Sequence, residues 1–253
     1  MKVGLQLFTL IDIMKTEGGL KKALGHASDA GYDGVEFAGF YGLSTDEIVD
    51  ELKENGLVTA GIHLGWDNMS WDNLEKNPDD VIGTAKKLGA ASVTVASYGG
   101  KDLEDWVNFG KKLDKYGKLF RENGIIFGYH NHRHEVKKLD GKYIIDIIME
   151  NCDPENVVWE LDPRHIVVAG EDPVKFAEKY SGRLPILHMR DIEKITGPDS
   201  ADDTAVGSGI VDIAGVVNKS GSHDWLIVEE GSCPDILKHI EKSAKYIRDT
   251  FIK

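Results

Sequence analysis

Short apolar runs of β-forming residues alternate along the chain with longer stretches in which apolar positions recur at helical spacing. The runs begin near Val3, Asp33, Leu57, Ser92, Ile125, Val157, Leu184 and Trp225, which makes eight repeats. Their spacing averages about 32 residues, the length that one strand, a crossover helix and two short loops consume between parallel neighbours. Helix ends carry their own signals. Ser44-Thr45-Asp46-Glu47 caps a predicted helix that stops at Asn55-Gly56, and Asn77-Pro78-Asp79-Asp80 starts another that stops at Leu88-Gly89. The longest predicted helix runs from Asp102 to Glu122 and ends at Asn123-Gly124.

No Pro/Ser-rich linker and no shift in composition divides the chain, so the repeats are expected to share one core as a single domain over residues 1–253. Eight βα units in this length suit a closed (β/α)8 TIM barrel of parallel strands with outer helices, whose typical size is about 250 residues. A doubly wound open sheet favours a glycine-rich turn after the first strand, whereas here Phe8-Thr9-Leu10 follows it without GxGxxG. Gly207-Ser208-Gly209 comes late and reads as a turn.

Composition narrows the function classes. The 253 residues are 41% hydrophobic and 29% charged, with 30 basic against 43 acidic side chains and a formal charge of -13. Such a balance repels nucleic acid and anionic lipid, so neither is an expected partner. The two cysteines, Cys152 and Cys233, lie far apart without CxxC spacing, which fits a reducing cytoplasm. The apolar start from Val3 to Ile13 lacks a cleavage site, and no run approaches the roughly 18 residues of a membrane span. A soluble, unprocessed protein is expected.

In a barrel, reacting groups come from the C-terminal ends of the strands. Here those ends carry Glu36, His63, Tyr129-His130-Asn131-His132, Glu160-Leu161-Asp162 with His165, His188-Met189-Arg190, and Glu229-Glu230. Period-two alternation places His130 with His132, Glu160 with Asp162, and His188 with Arg190 on common faces, while Glu229 and Glu230 point oppositely. Imidazoles and carboxylates from several strands thus converge on one mouth, which is poor core design without a compensating partner. One divalent cation held by His130, Asp162, His188 and Glu229 supplies that partner. Two imidazoles and two carboxylates suit Mn2+, Zn2+, Co2+ or Fe2+ better than an all-oxygen Ca2+ cage. Glu160, one pleat below Asp162, is expected to pair with Arg190 inside the barrel. The Trp66–Trp71 loop offers indoles that either stack a sugar face or simply pack.

Taken in order, Tyr129-His130-Asn131-His132-Arg133-His134-Glu135, Glu160-Leu161-Asp162, Leu187-His188-Met189-Arg190-Asp191, Val206-Gly207-Ser208-Gly209-Ile210-Val211-Asp212 and Ile227-Val228-Glu229 resemble the sugar phosphate isomerase/epimerase family of xylose isomerase-like barrels. The resemblance covers nearly the whole chain and implies one divalent metal bound from strands five to eight, at His130, Asp162, His188 and Glu229. The departure is His130, where ketose epimerases of this kind carry a glutamate that is both ligand and base. Arg190 stands where the family's seventh-strand motif has lysine. Barrels of this kind often form homo-oligomers, and the sequence shows no interface signature.

These readings converge on a metal-dependent sugar or sugar phosphate isomerase/epimerase that removes a proton beside a chelated carbonyl. Glu229 is the first choice of base, with Glu36 or His132 as further proton carriers. His63, His165, Arg190 and Trp66 are candidates for contact with a small carbohydrate. A lyase or dehydratase acting on a keto-sugar, inosose or 3-keto-glycoside shares the same first step, and a non-catalytic sugar-binding barrel is the alternative of another class.

Overall fold

In the computed structural model, which describes residues 1–198, 200–231, 233 and 235–252, the eight runs form one parallel sheet. Its strands are β1 (Lys2–Gln6), β2 (Gly34–Phe37), β3 (Val58–Leu64), β4 (Ser92–Val95), β5 (Ile126–His130), β6 (Val158–Glu160), β7 (Ile186–Met189) and β8 (Trp225–Val228). They pair in sequence from β1 to β6, and β8 lies between β1 and β7. The seam between β6 and β7 is closed by a Leu161–Leu187 bridge and by the His188 N–H, which donates to the Leu161 carbonyl at 3.0 Å. The sheet is therefore a barrel, and its helices form the outer layer.

Each helix stop has the local chemistry that its sequence implied. Ser44 and Glu47 form a reciprocal capping box at the start of Thr45–Glu54. Pro78 opens Pro78–Lys87, Asp102 caps Leu103–Glu122, and Gly56, Gly89 and Gly124 each follow a helix with positive φ. Two features were not foreseen. Antiparallel hairpins, Lys138–Leu139 with Lys142–Tyr143 and Asp191–Gly197 with Ser200–Thr204, extend from the loops after β5 and β7. No described helix is long and apolar enough to cross a membrane.

Two apolar cores result. The larger lies between the helices and the outer face of the sheet. The smaller, of Ala60, Ile186, Trp225 and Ile227, plugs the barrel interior near the N-terminal ends of the strands. Alternation carries the same inward series upward, from Trp225 and Ile227 to Glu229 on β8 and from Ile186 to His188 and Arg190 on β7. A register shift between β2 and β3 sets Glu36 opposite Gly61, and a Cβ on Gly61 would lie 2.4 Å from Glu36 Oε1 and 2.8 Å from Ser92 Oγ.

Gly61 thus makes room for a buried carboxylate. Gly61→Ala is expected to destabilise the protein by about 1–3 kcal/mol through overpacking, read as a lower urea midpoint. Gly65→Ala, whose Cβ would have no neighbour within 4 Å, serves as the control.

Candidate functional site

Above the apolar plug lies a buried layer of opposite charges. Glu36 and Glu160, at the ends of β2 and β6, are wholly inaccessible. Oε2 of Glu36 accepts from Gln6 Nε2 at 2.7 Å and from His188 Nε2 at 2.8 Å, and lies 3.1 Å from His63 Nε2. Oε2 of Glu160 lies 2.8 Å from His63 Nε2 and 3.3 Å from His188 Nε2, and the Thr94 hydroxyl donates to Oε1 at 3.3 Å. Both imidazoles present Nε2 to carboxylates, so that nitrogen carries a proton in each. Burial alone would lower the His63 pKa, but Glu36 and Glu160 outweigh it and raise it to about 10. His188 is driven up by the same balance, and its charge with that of His63 holds Glu160 well below the carboxylate range in spite of burial.

The expected Glu160–Arg190 pair does not form. Glu160 sits one pleat too deep, where His63 and His188 meet it. Arg190 instead reaches sideways, its Nε and Nη2 donating to Asp203 Oδ2 at 3.0 and 2.8 Å and its Nη1 lying 3.2 Å from Glu229 Oε1.

One layer higher, the ligating atoms of His130, Asp162, His188 and Glu229 all lie within 4.8 Å of one another. His188 bridges the two layers, with Nδ1 3.0 Å from Glu229 Oε2. Two atoms in this cluster are buried without a hydrogen-bond partner, Asp162 Oδ2 and His130 Nδ1. The nearest nitrogen groups recorded against Asp162 Oδ2 are His165 Nε2 at 3.8 Å and Arg190 Nη1 at 3.9 Å, too far to donate. His130 Nδ1 is 3.3 Å from Glu160 Oε2 but outside hydrogen-bonding geometry. A buried carboxylate oxygen and a buried imidazole nitrogen, each lacking a donor or acceptor, beside a second carboxylate and a second imidazole, fit a divalent ion of borderline softness.

The frame around this cluster explains residues that the alternation pattern left without a role. Asn131, the middle of the His-Asn-His segment, accepts from Trp159 Nε1 at 2.8 Å and from the Asp162 N–H at 2.9 Å, and so pins the end of β6 to β5. Buried Glu135 accepts from the Tyr129 hydroxyl and from the His132 N–H, which sets the turn that carries His132. Asp203, on the unforeseen hairpin, gathers both Arg190 and Arg164, the latter through Nε at 3.1 Å. Glu230 faces away from the cluster, accepting from Ser243 Oγ at 2.6 Å, as alternation required.

The cluster opens into a cavity of about 260 Å³ lined by Gln6, Phe8, His63, Trp66, Ala96, Ser97, His130, His132 and Glu229. Trp66 faces it, whereas Trp71 packs on Phe109 and Tyr116. Glu36 lies beneath the lining. His132 stands at the wall with Nδ1 buried and unpartnered, and burial together with His130 lowers its pKa to about 3, which keeps it neutral. His165, its ring 4.8 Å from that of His132, is likewise held neutral by burial and by Arg190. Burial raises Asp162, with Arg190 opposing, while Arg190 and His188 overcome burial and hold Glu229 low. Gln6 also lines the cavity, and its place near the end of β1 is the sequence signal that marks it.

Fold and site together define a parallel (β/α)8 barrel with a histidine and carboxylate centre at its C-terminal mouth. Residues 24–250 match the xylose isomerase-like TIM barrel family, and the chain belongs to that family. It is similar to inosose dehydratase of Clostridium tetani, 29% identical over 165 residues, 58% of this chain and 55% of the relative. It is also similar to inosose dehydratase of Clostridium perfringens, 25% identical over 271 residues, 92% of this chain and 90% of the relative. The chain thus spans about half the length of several curated relatives it matches. Among solved structures, a sugar phosphate isomerase/epimerase from Parabacteroides distasonis has a TM-score of 0.81 at 22% identity, covering 99% of this chain and 95% of that one. The IolI protein with a binding zinc atom has a TM-score of 0.74 at 16% identity, covering 98% and 97%. At these identities the structures share the fold.

Because Asn131 answers two buried donors at once, Asn131→Ala is expected to cost about 2–4 kcal/mol, one unsatisfied-donor penalty for each. Urea unfolding of the variant measures it, and a change below about 0.5 kcal/mol would show that the β5–β6 clasp is dispensable.

Proposed function

We propose that this protein is a divalent-metal-dependent lyase that removes a proton beside the carbonyl of a sugar-like ketone and expels water from the neighbouring carbon. The observation that carries this reading is the composition of the cavity wall: Glu229 is the one carboxylate among its described lining residues, and His63, His130 and His132 supply the rest of its ionisable groups. Epimerisation by two opposed carboxylates has no second carboxylate to use here, because Glu36, Glu160 and Asp162 are fully buried beneath or behind the wall. Elimination needs one base and a carrier that returns the same proton to the leaving hydroxyl, roles that Glu229 and a neutral imidazole can fill. The names of the Clostridium relatives support the same direction.

His130, Asp162, Glu229 and His188 would hold the ion, the last through Nδ1 on release of the proton that this nitrogen presents to Glu229. When bound, it supplies Lewis acidity at the substrate carbonyl and so acidifies the adjacent C–H. Glu229, kept low by Arg190 and His188, is a weak base that suffices only toward a C–H already made acidic. Neutral His132, with its free Nδ1 at the wall, is the second proton carrier. The C–H electron pair becomes the new C=C bond, the neighbouring C–O bond breaks, and the leaving hydroxyl receives the proton that Glu229 took from carbon, carried across the wall by His132, to leave as water. Phe8 and Trp66 flank the opening and offer apolar faces to a ring.

Proton NMR in heavy water, with inosose and free ketoses as substrates, tests the proposal. Chelator-treated protein is expected to show no C–H exchange and to regain it with Mn2+, Co2+ or Zn2+, with loss of water from the product. Retention of the full skeleton would make the enzyme an isomerase, and binding without exchange would make it a non-catalytic barrel.

Two substitutions separate the roles. Glu229→Gln is expected to lose both bound metal, by elemental analysis, and exchange. His132→Asn is expected to keep its metal while exchange falls roughly 10²–10⁴-fold, the range for one general acid or base. Equal metal loss in both variants would remove His132 from proton transfer.

A further inference from the structure

Barrels that act on phosphorylated substrates hold the phosphate on backbone N–H groups of glycine-rich loops after the seventh and eighth strands. This chain has such a loop, and it is already filled from within. The N–H groups of Gly207, Gly209 and Val211 donate to the Asp191 carboxylate at 3.0, 2.8 and 3.0 Å, and the Ile192 N–H joins them at 2.9 Å. A Cβ on Gly209 would lie 2.4 Å from Asp191 Oδ1, so the glycine serves this internal anion.

The guanidinium groups beside the site are also engaged. Arg164 and Arg190 both close on Asp203, and Arg190 spends its remaining arm on Glu229. Arg133 donates to the Pro198 carbonyl. None of the described residues lining the cavity is Lys or Arg, so a phosphate there would meet no guanidinium or ammonium group. At about 260 Å³ the cavity falls below the ~300–1,000 Å³ of pockets for drug-sized ligands, so it admits one ring.

From these contacts we infer that the substrate is an uncharged, single-ring polyhydroxy ketone and that phosphate monoesters are excluded, Asp191 and Asp203 standing where a substrate phosphate would otherwise bind. This rests on the proton-abstraction reading of the same cavity.

Thermal melting and calorimetric titration of the metal-loaded protein test it. The probes are inosose and D-fructose against D-fructose 6-phosphate and inorganic phosphate. At least one uncharged probe is expected to bind at least ten-fold more tightly than either phosphate. Asp203→Asn, which frees two guanidinium groups, is expected to gain a phosphate-dependent rise in melting temperature that the parent protein lacks. Equal or tighter binding of the phosphates by the parent protein overturns the inference, and so does failure of every uncharged probe to bind. Preference for an uncharged probe without any C–H exchange upholds the inference and defeats the lyase reading alone.

Discussion

Four carboxylates, those of Glu36, Glu160, Asp162 and Glu229, are buried at one end of a closed barrel, and the arrangement of that end follows from having to accommodate them. An ionised carboxylate removed from water is expensive unless donors or positive charge meet it. The deeper two are answered by His63 and His188, whose Nε2 atoms lie within 3.3 Å of both. The upper two are answered by Arg190 and His188 on one side and, at Asp162 Oδ2, by no protein donor at all. Glu36 Oε1 in the deeper layer is also without a partner, but at the upper layer an unpartnered carboxylate oxygen and an unpartnered imidazole nitrogen lie beside a second carboxylate and a second imidazole, which is the donor set that suits a cation.

The floor also gives the rim its geometry. His188 is held from below through Nε2, which leaves Nδ1 turned toward Glu229 and the cluster above. A carboxylate behind a ligating histidine commonly fixes both its tautomer and its ring orientation. Glu36 therefore acts through His188, and Gln6 acts through Glu36 while its own Oε1 accepts the Phe8 N–H at 3.0 Å and sets the first turn of the cavity wall. Further out, Asp203 and Asp191 perform the equivalent service for the arginines and for the glycine-rich loop. The cations are shared, His63 and His188 between Glu36 and Glu160 and Arg190 between Asp203 and Glu229, which is how a chain of net charge -13 assembles so many acidic residues in one place.

The barrel was legible because its signals are periodic. Strand starts fall within two residues of those read from the apolar runs, and Ser44, Pro78 and Asp102 begin helices where capping chemistry put them. Alternation also brought His130, Asp162, His188 and Glu229 to one mouth without any long-range information, since each follows its strand's inward parity. Depth was not legible. Parity says that Glu160 and Arg190 both face inward, but not that they occupy different layers, and the assumed pair fails for that reason. The hairpin Asp191–Gly197 with Ser200–Thr204 was also hidden, because it is short, exposed and only weakly alternating, and Asp203 went unseen with it.

The imidazole at the end of β5 ties the electrostatics to the chemistry. A glutamate in place of His130 would add a fifth buried carboxylate beside Glu160, whose Oε2 is already 3.3 Å from this ring, and the floor has no further cation to answer it. With an imidazole there, Asp162 and Glu229 are the two anionic donors of the cluster, and neutral ligands leave a bound divalent cation more positive than carboxylates do. A stronger electrophile tolerates a weaker base. On the proposed reading Glu229, drawn low by Arg190 and His188, would be such a base, and neutral His132 stands across the same wall. An imidazole where a second carboxylate base would stand would thus also lessen the need for one, and in this the electrostatics of the barrel mouth agree with the proposed loss of a leaving group rather than with return of a proton to the opposite face.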